Sequence, residues 1–111
     1  MNIRTEWVDL AVSDGTSMRA WVARGDGGSA RRGLLVFQEA FGVNAHIRDV
    51  TERFARLGFL AIAPELFHRE APGFEGSYTD RAAVMPLLQS LTEPGMEADV
   101  RAAYGWQLDS R

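Results

Sequence analysis

The sequence predicts a single α/β domain, and three observations support that prediction. Two β-leaning runs flank a short polar turn, two later apolar runs enclose a stretch with helical periodicity, and two more helical segments follow. A length of 111 residues suits one ordinary domain and is too short for two. We therefore expect a β-hairpin, then a βαβ unit, then two further helices.

Composition and charge argue against several classes of function. Twelve basic and fifteen acidic residues give a net charge of −3, which leaves no basic footprint for nucleic acid. The chain has no cysteine, so it offers no disulfide, iron–sulfur or thiolate zinc site and no cysteine nucleophile. Because no apolar run reaches the roughly 18 residues of a membrane span, we expect a cytoplasmic protein, without a cofactor and with no membrane partner.

The first predicted element is a hairpin. Thr5 to Val12 and Met18 to Arg24 are β-leaning runs around a turn rich in Asp, Gly and Ser. Polar Asp9 and Arg19 indicate that one face of the hairpin stays wet. The glycine-rich stretch from Gly25 to Gly33 is predicted to be a linker, because a phosphate-binding loop follows a strand and opens a helix, whereas this stretch precedes a strand.

The next elements form a βαβ unit. The apolar run from Leu34 to Phe37 predicts a strand buried on both faces. A helix that ends at Gly58 is predicted by helical spacing of Ile47, Val50, Phe54 and Leu57. Phe59 to Pro64 predicts a second buried strand, which in a βαβ unit runs parallel to the first.

Two helices complete the prediction. The first extends from about Thr79 to Leu91, and Pro86 is expected to kink or divide it because proline lacks a backbone donor. The second begins at Gly95 or Met96 and ends near Leu108. One face of this second helix is predicted to carry Met96, Val100, Ala103 and Tyr104.

The histidines and serines do not form a familiar reactive pattern. No serine stands in a Gly-x-Ser-x-Gly sequence, the pattern of a strand-to-helix nucleophile turn. His46 and His68 are 22 positions apart, so neither belongs to a short metal-ligand pair, and no metal site is predicted. We expect His68 and Arg69, which follow the second buried strand, to be rim residues.

The most informative run is Gln38 to Asn44, directly after the first strand of the βαβ unit. Ligands of open α/β sheets bind at that end of the strands. There the carboxylate of Glu39 is expected to be partly desolvated by Phe37 and Phe41. Two other interpretations remain open from the spacing alone: Glu39 caps the following helix, or it pairs with Arg48.

These residues resemble the N-terminal half of the dienelactone hydrolase family, whose members are α/β-hydrolases. The resemblance rests on the run from Val36 to Asn44, which holds the cluster Gln-Glu-x-Phe-Gly-x-Asn, and on Arg48, Leu57-Gly58-Phe59 and Ala63 to Phe67. It continues through Arg69, Ala71-Pro72-Gly73 and Met96 to Val100. It therefore covers most of the chain after about residue 34.

The resemblance implies roles for four residues. Glu39 matches the family glutamate that hydrogen-bonds the resting nucleophile and helps to activate it. The backbone N–H of Ala40 matches one of two oxyanion-hole donors. Phe41 would line the substrate pocket, and Arg81 lies close to a family arginine that pairs with the substrate's carboxylate. An open alternative makes Arg81 a solvated charge on a helix face.

The resemblance also implies that the chain is one partial domain, residues 1–111, that stops before the nucleophile turn. The family's nucleophile, aspartate and histidine would lie outside it, so this chain alone is expected to be inactive. The strand from Leu34 to Gln38 would become a sheet edge, through which we expect a homo-oligomer or a companion fragment to pair.

Three functions are compatible with the sequence. The first is a carboxylic ester or lactone hydrolase of the dienelactone hydrolase type, acting on a small molecule. The second is a non-catalytic α/β binding or interaction module that keeps the pocket floor. The third is a flavodoxin-type domain with a phosphate ligand, which the lack of a glycine- or hydroxyl-rich turn after Phe37 disfavours.

Overall fold

The computed structural model describes residues 2–27 and 32–110. It confirms the hairpin, because β1 (Ile3–Ala11) and β2 (Ser17–Gly25) pair antiparallel. In the turn between them, the carboxylate of Asp14 accepts hydrogen bonds from the backbone N–H of Thr16 at 3.0 Å and from its hydroxyl at 2.6 Å. Part of the predicted glycine-rich linker, residues 28–31, lies outside the described residues.

The four strands form one mixed sheet in the order β1-β2-β4-β3. The strands of the βαβ unit are β3 (Arg32–Leu35) and β4 (Phe59–Pro64), and they are parallel as predicted. β3 is an edge strand, as expected. The predicted burial of the first run on both faces is wrong, since Leu34 and Leu35 are half-buried and Phe37 is 49% exposed. At the sheet edge the helices cover the strand incompletely.

Helix α1 (Ala45–Arg56) joins the two parallel strands. It begins after Asn44, whose side-chain oxygen accepts a hydrogen bond from the N–H of Ile47 at 3.1 Å. It ends as predicted before Gly58, which has a φ of 100°. Leu57 is 73% exposed, so its predicted place on the apolar face is wrong. As the C-terminal cap, Leu57 lies beyond the last turn that packs on the sheet.

The last two helices differ from their predicted bounds. α2 (Arg81–Ser90) continues through Pro86 as one element and is not divided there. α3 (Glu93–Ser110) begins before Gly95, because the hydroxyl of Thr92 accepts a hydrogen bond from the N–H of Gly95 at 3.1 Å. Proline at position 94 suits such a first turn.

The buried face of α3 is also different from the predicted one. It carries Asp99, Ala103 and Gln107, whereas Tyr104 is 53% exposed. Of the predicted face, Ala103 is buried and Met96 and Val100 are half-buried, so the prediction is wrong at Tyr104. Apolar periodicity also misses Asp99 and Gln107, because these buried residues are polar.

The helices α1 and α3 cover opposite faces of the sheet and create two cores. The core under α3 combines Leu10, Met18, Val22, Leu60, Ile62 and Ala103. On the other face, the core under α1 combines Val36, Val43, Ile47, Ala61 and Ala63, with Trp7 and Trp21 beside them. The expected wet face of the hairpin is therefore covered in part by the two indoles. No helix that the structure describes is long and apolar enough to cross a membrane.

Candidate active site

The segment after β3 turns sharply at the carboxyl end of the parallel strands. The N–H of Val36 donates the last sheet hydrogen bond, to the carbonyl of Ile62 at 2.8 Å. The chain then closes a tight turn, in which the N–H of Gly42 donates to the carbonyl of Glu39 at 3.3 Å. Two residues later Asn44 opens α1. The candidate residues Glu39, Ala40 and Phe41 thus lie on a short connection between a strand and a helix.

Glycine is required at position 42 for two reasons. Its φ is 83°, a conformation that residues with a side chain rarely adopt. A Cβ there would also overlap the carbonyl oxygen of Phe74. In the same contact, the N–H of Gly76 donates to the carbonyl of Phe41 at 3.0 Å. The loop after β4 therefore presses directly against the 39–42 turn and supports it.

A buried carboxylate anchors that supporting loop. Glu65 follows β4 and is only 4% exposed. One of its oxygens accepts from the guanidinium of Arg19 at 2.7 Å, and the other accepts from the N–H of Gly73 at 3.2 Å. The Arg19 guanidinium lies 3.6 Å from the centre of the Trp7 ring, a cation–π contact. Through Glu65, the sheet fixes the position of the loop after β4, and this loop in turn supports the 39–42 turn.

A cavity of about 250 Å³ opens between the 39–42 turn and α2. Three of the four predicted site residues, Ala40, Phe41 and Arg81, lie together in its wall. The remaining wall is largely apolar and consists of Tyr78, Val84, Met85 and Leu88. The structure thus brings together residues that are about 40 positions apart in the sequence.

Glu39 lies on the same turn but does not line this cavity. Its side chain is exposed, so the expected desolvation is wrong, and Phe37 is itself too exposed to supply it. Both alternative interpretations also fail, because Asn44 caps α1 and Arg48 binds Glu75 at 3.2 Å. Within the described parts of the chain, the Glu39 carboxylate makes no hydrogen bond or ion pair.

Arg81 stands in the first turn of α2, where the preceding Asp80 caps the helix by accepting from the N–H of Ala83 at 3.2 Å. Its side chain is exposed, and among residues 2–27 and 32–110 no carboxylate pairs with it. The guanidinium is therefore a charge at the rim of an apolar cavity, able to bind an anion.

Tyr78 is a wall residue that sequence reasoning missed. Its ring packs edge-to-face on Phe41 with 4.4 Å between centroids, and its hydroxyl oxygen accepts from the side-chain amide of Asn44 at 3.0 Å. The position falls in an irregular loop without periodicity, so only the neighbouring family-like Asn44 could have hinted at it.

A second cavity, of about 580 Å³, is larger but lies elsewhere. Its wall comes from β1, β2 and the C-terminal part of α3, and includes Arg4, Arg24 and Trp106. Both of its arginines have partners: Arg24 donates to the carbonyl of Ser110 at 2.9 Å, and Arg4 pairs with Asp26 at 3.3 Å. We favour the smaller cavity as the candidate site, since it adjoins the carboxyl end of the parallel strands.

A network of charged groups joins the loop after β4 to α3 and to the hairpin turn. Asp99 is fully buried and accepts from Arg69 at 2.9 Å and contacts the ring nitrogen Nε2 of His68 at 3.0 Å. The expectation that His68 is a rim residue is wrong, because it is 4% exposed. Arg69 also reaches Asp14 in the hairpin turn, so the network joins three segments of the fold.

Two charged groups of this region, Asp14 and Arg69, have shifted pKa values. Hydrogen bonds from Thr16, with a further one from Arg69, lower the pKa of Asp14 to about 2. The hydrogen bond to Asp99 is the largest cause that raises the pKa of Arg69. No group of three or more potential metal ligands occurs among the residues that the structure describes.

Comparisons with known proteins identify a family. The model of the dienelactone hydrolase family matches residues 18–108. A provisionally named carboxymethylenebutenolidase from Salmonella typhi is 42% identical over 93 residues, which are 81% of this chain and 32% of that protein. A second one, from Synechocystis, is 63% identical over 46 residues, which are 41% of this chain and 19% of that protein.

Solved structures agree. A provisionally assigned dienelactone hydrolase from Klebsiella pneumoniae superimposes with a TM-score of 0.81 and 28% identity, over 98% of this chain and 45% of that one. A dienelactone-hydrolase-like promiscuous phosphotriesterase from metagenomic libraries gives 0.71 and 25%, over 97% of this chain and 44% of that one. The chain spans less than half the length of these relatives. With the family model matching most of its length, the chain belongs to the dienelactone hydrolase family.

Proposed function

We propose that this chain supplies the oxyanion-hole side and the acyl pocket of a hydrolase that acts on carboxylic ester or lactone bonds. The observation that carries the proposal is the convergence of Ala40, Phe41 and Arg81 on one cavity beside the carboxyl end of β3. Membership of the dienelactone hydrolase family supports the reaction class.

Each residue has a chemical task in this proposal. The N–H of Ala40 donates to the acyl oxygen as negative charge develops on it, which stabilises the transition state because the donor is already in place. Glu39 lies one residue away with an exposed carboxylate, which is free to hydrogen-bond a nucleophile brought to the turn. That nucleophile, a cysteine or a serine, comes from polypeptide other than this chain.

The cavity favours a substrate with an apolar body and an anionic group. Phe41, Val84 and Met85 offer apolar surface to the body. Arg81 offers a planar fork of donors, which suits a carboxylate. The substrate class we propose is therefore a small ester or lactone that carries a carboxylate.

The chain by itself is proposed to be inactive. It has no cysteine and no Gly-x-Ser-x-Gly sequence, and an oxyanion hole without a nucleophile retains only a small part of the rate. A non-catalytic binding module is the second candidate, favoured by a cavity of about 250 Å³ that is formed without any nucleophile.

A further proposal concerns partners. Among the strands formed by residues 2–27 and 32–110, β3 has a neighbour on one side only, and its other edge presents backbone donors and acceptors. We propose that another strand, from a second copy or from a companion fragment, pairs with this edge.

Two measurements test the hydrolase proposal: the sequence of the reading frame beyond residue 111, and the ester-hydrolysis kinetics of the protein that this longer frame encodes. We expect a Gly-x-Cys-x-Gly or Gly-x-Ser-x-Gly sequence within a few tens of residues, and a burst of nitrophenol from an activated ester. Glu39→Ala should slow the burst by about 10²-fold or more. Glu70→Ala, which removes an exposed carboxylate from the loop after β4, should leave it unchanged. A binding module would show no burst in any variant.

A further inference from the structure

The side chain of Gln38 links the segment after β3 to the segment after β4, at the carboxyl ends of these two parallel strands. Its side-chain oxygen accepts from the N–H of Leu66, just after β4, at 2.8 Å. Its side-chain nitrogen donates to the carbonyl of Glu39, in the turn after β3, at 3.1 Å. The partners fix the orientation of the amide, because an N–H needs an acceptor and a carbonyl needs a donor.

The carbonyl that Gln38 holds belongs to the same peptide unit as the N–H of Ala40. A peptide unit is planar and nearly always trans, so its carbonyl and its N–H point in opposite directions and move together. Gly42 donates to the same carbonyl from the other side of the turn at 3.3 Å. Two donors therefore fix the direction of the Ala40 N–H without touching it.

That N–H remains available for a ligand. Within residues 2–27 and 32–110, the N–H of Ala40 has no hydrogen-bond acceptor. Ala40 lines the cavity of about 250 Å³ and is half-buried. A half-buried residue whose N–H has no protein acceptor is uncommon, and an oxyanion donor must have its N–H free of such acceptors.

We propose that Gln38 is a positioning residue that orients the Ala40 N–H toward the reacting oxygen, a role that rests on the proposed oxyanion-hole function. Its anchor on Leu66 ties the turn to the strand end of β4, which has no exposed member from Leu60 to Pro64. The donor is thus held by the most buried strand of the sheet before any substrate arrives, so its orientation costs no reorganisation during the reaction.

The test removes one hydrogen bond and keeps the other. Gln38→Glu retains an oxygen that accepts from the N–H of Leu66 and loses the donor to the Glu39 carbonyl. Gln38→Ala removes both. Gln89→Glu, at an exposed position of α2, makes the same charge change away from the turn and serves as the control.

Backbone ¹⁵N relaxation on this chain gives the readout. In Gln38→Glu we expect the order parameter of the Ala40 N–H to fall from about 0.85 to below about 0.6, while that of Leu66 stays rigid. In Gln38→Ala the order parameters of both the Ala40 and the Leu66 N–H should fall, and in Gln89→Glu neither should change. The Glu39 carbonyl carbon should change its chemical shift in both Gln38 variants.

The proposal is overturned if the Ala40 N–H stays rigid in Gln38→Glu, or if order is lost throughout the chain in that variant, since a general structural role would do the latter. The measurement needs no substrate. A rigid Ala40 would therefore refute the positioning role and leave the hydrolase proposal standing. If Ala40 becomes mobile in Gln38→Glu but the chain extended past residue 111 gives no ester burst, the hydrolase is refuted, and Gln38 is left as a side chain that orders this N–H without a reacting oxygen to serve.

Discussion

Gly42 shows how a single backbone position shapes the candidate site. Its positive φ and its contact with the Phe74 carbonyl are separate requirements, and Gly15 has only the first, with φ of 89° and open space around it. Gly42→Ala should therefore destabilise the fold by about 3 kcal/mol, from backbone strain and overlap together. Gly15→Ala, the matched control, should cost about 1 kcal/mol. If urea unfolding shows equal losses of unfolding free energy for Gly42→Ala and Gly15→Ala, the close contact between Gly42 and the Phe74 carbonyl does not contribute.

Arg81 is expected to select the charge of the ligand. The probe is phenylacetate, which pairs an apolar ring with a carboxylate, and phenylacetamide is its neutral counterpart. Arg81→Gln should weaken phenylacetate binding about tenfold and leave phenylacetamide unaffected, as measured by calorimetry. Arg101→Gln, on an exposed arginine that pairs with Glu97, is the control. Equal weakening of both ligands would assign Arg81 to packing.

The carboxylate of Asp14, in the hairpin turn, makes the free energy of unfolding depend on pH in the acid range. Because its pKa in the folded state, about 2, is below the ordinary value of 3.8, the ionised carboxylate stabilises the fold above about pH 4. That contribution is lost as the pH falls towards 2. Unfolding measured between pH 5 and pH 2 should therefore show a smaller loss for Asp14→Asn than for the unmodified chain. Parallel curves would contradict the role of this carboxylate.

At the scale of elements, the loop after β4 depends on the buried network around Asp99. Asp99→Asn would leave buried His68 without its carboxylate and would take from Arg69 one of its two carboxylate partners, the other being Asp14. We expect a loss of about 3 kcal/mol in the free energy of unfolding. Glu97→Gln, which breaks an exposed pair on the same helix, should cost less than about 0.5 kcal/mol. Similar losses for both variants would rule out the network as a structural anchor.

How far each element could be predicted follows from what its residues contact. The bounds of β4 match because its apolar run is buried from Leu60 to Pro64 and half-buried at Phe59. The face of α3 matches only in part, because Asp99 and Gln107 are buried by hydrogen bonding to distant groups, including the carbonyl of Leu60 at 2.7 Å. Such partners are set by the tertiary fold and leave no periodic signal in the sequence.

The candidate site divides in the same way. Ala40 and Phe41 could be placed from the strand-to-helix pattern and the family resemblance, since both are local features. Tyr78 and Gln38 could not, because their roles arise from contacts with Phe41, Asn44 and Leu66 across the fold. The exposure of Glu39 also depends on how little of the edge strand is covered.

For the whole molecule, the open edge of β3 predicts association. Size-exclusion chromatography with light scattering at micromolar concentration should show a dimer or larger species. Phe37→Lys, at an exposed aromatic beside the edge, should shift the chain towards monomer, because lysine blocks strand pairing. Leu57→Lys, at an exposed leucine after α1, should not. A monodisperse monomer without binding of an apolar dye would contradict the proposal.

The most direct test of the acyl pocket is a titration of the ¹⁵N-labelled chain with phenylacetate. The account predicts chemical-shift changes at Ala40, Phe41 and Arg81, around the cavity beside the 39–42 turn. Changes confined to Arg4, Arg24 and Trp106, around the larger cavity, or no change at any residue, would contradict it.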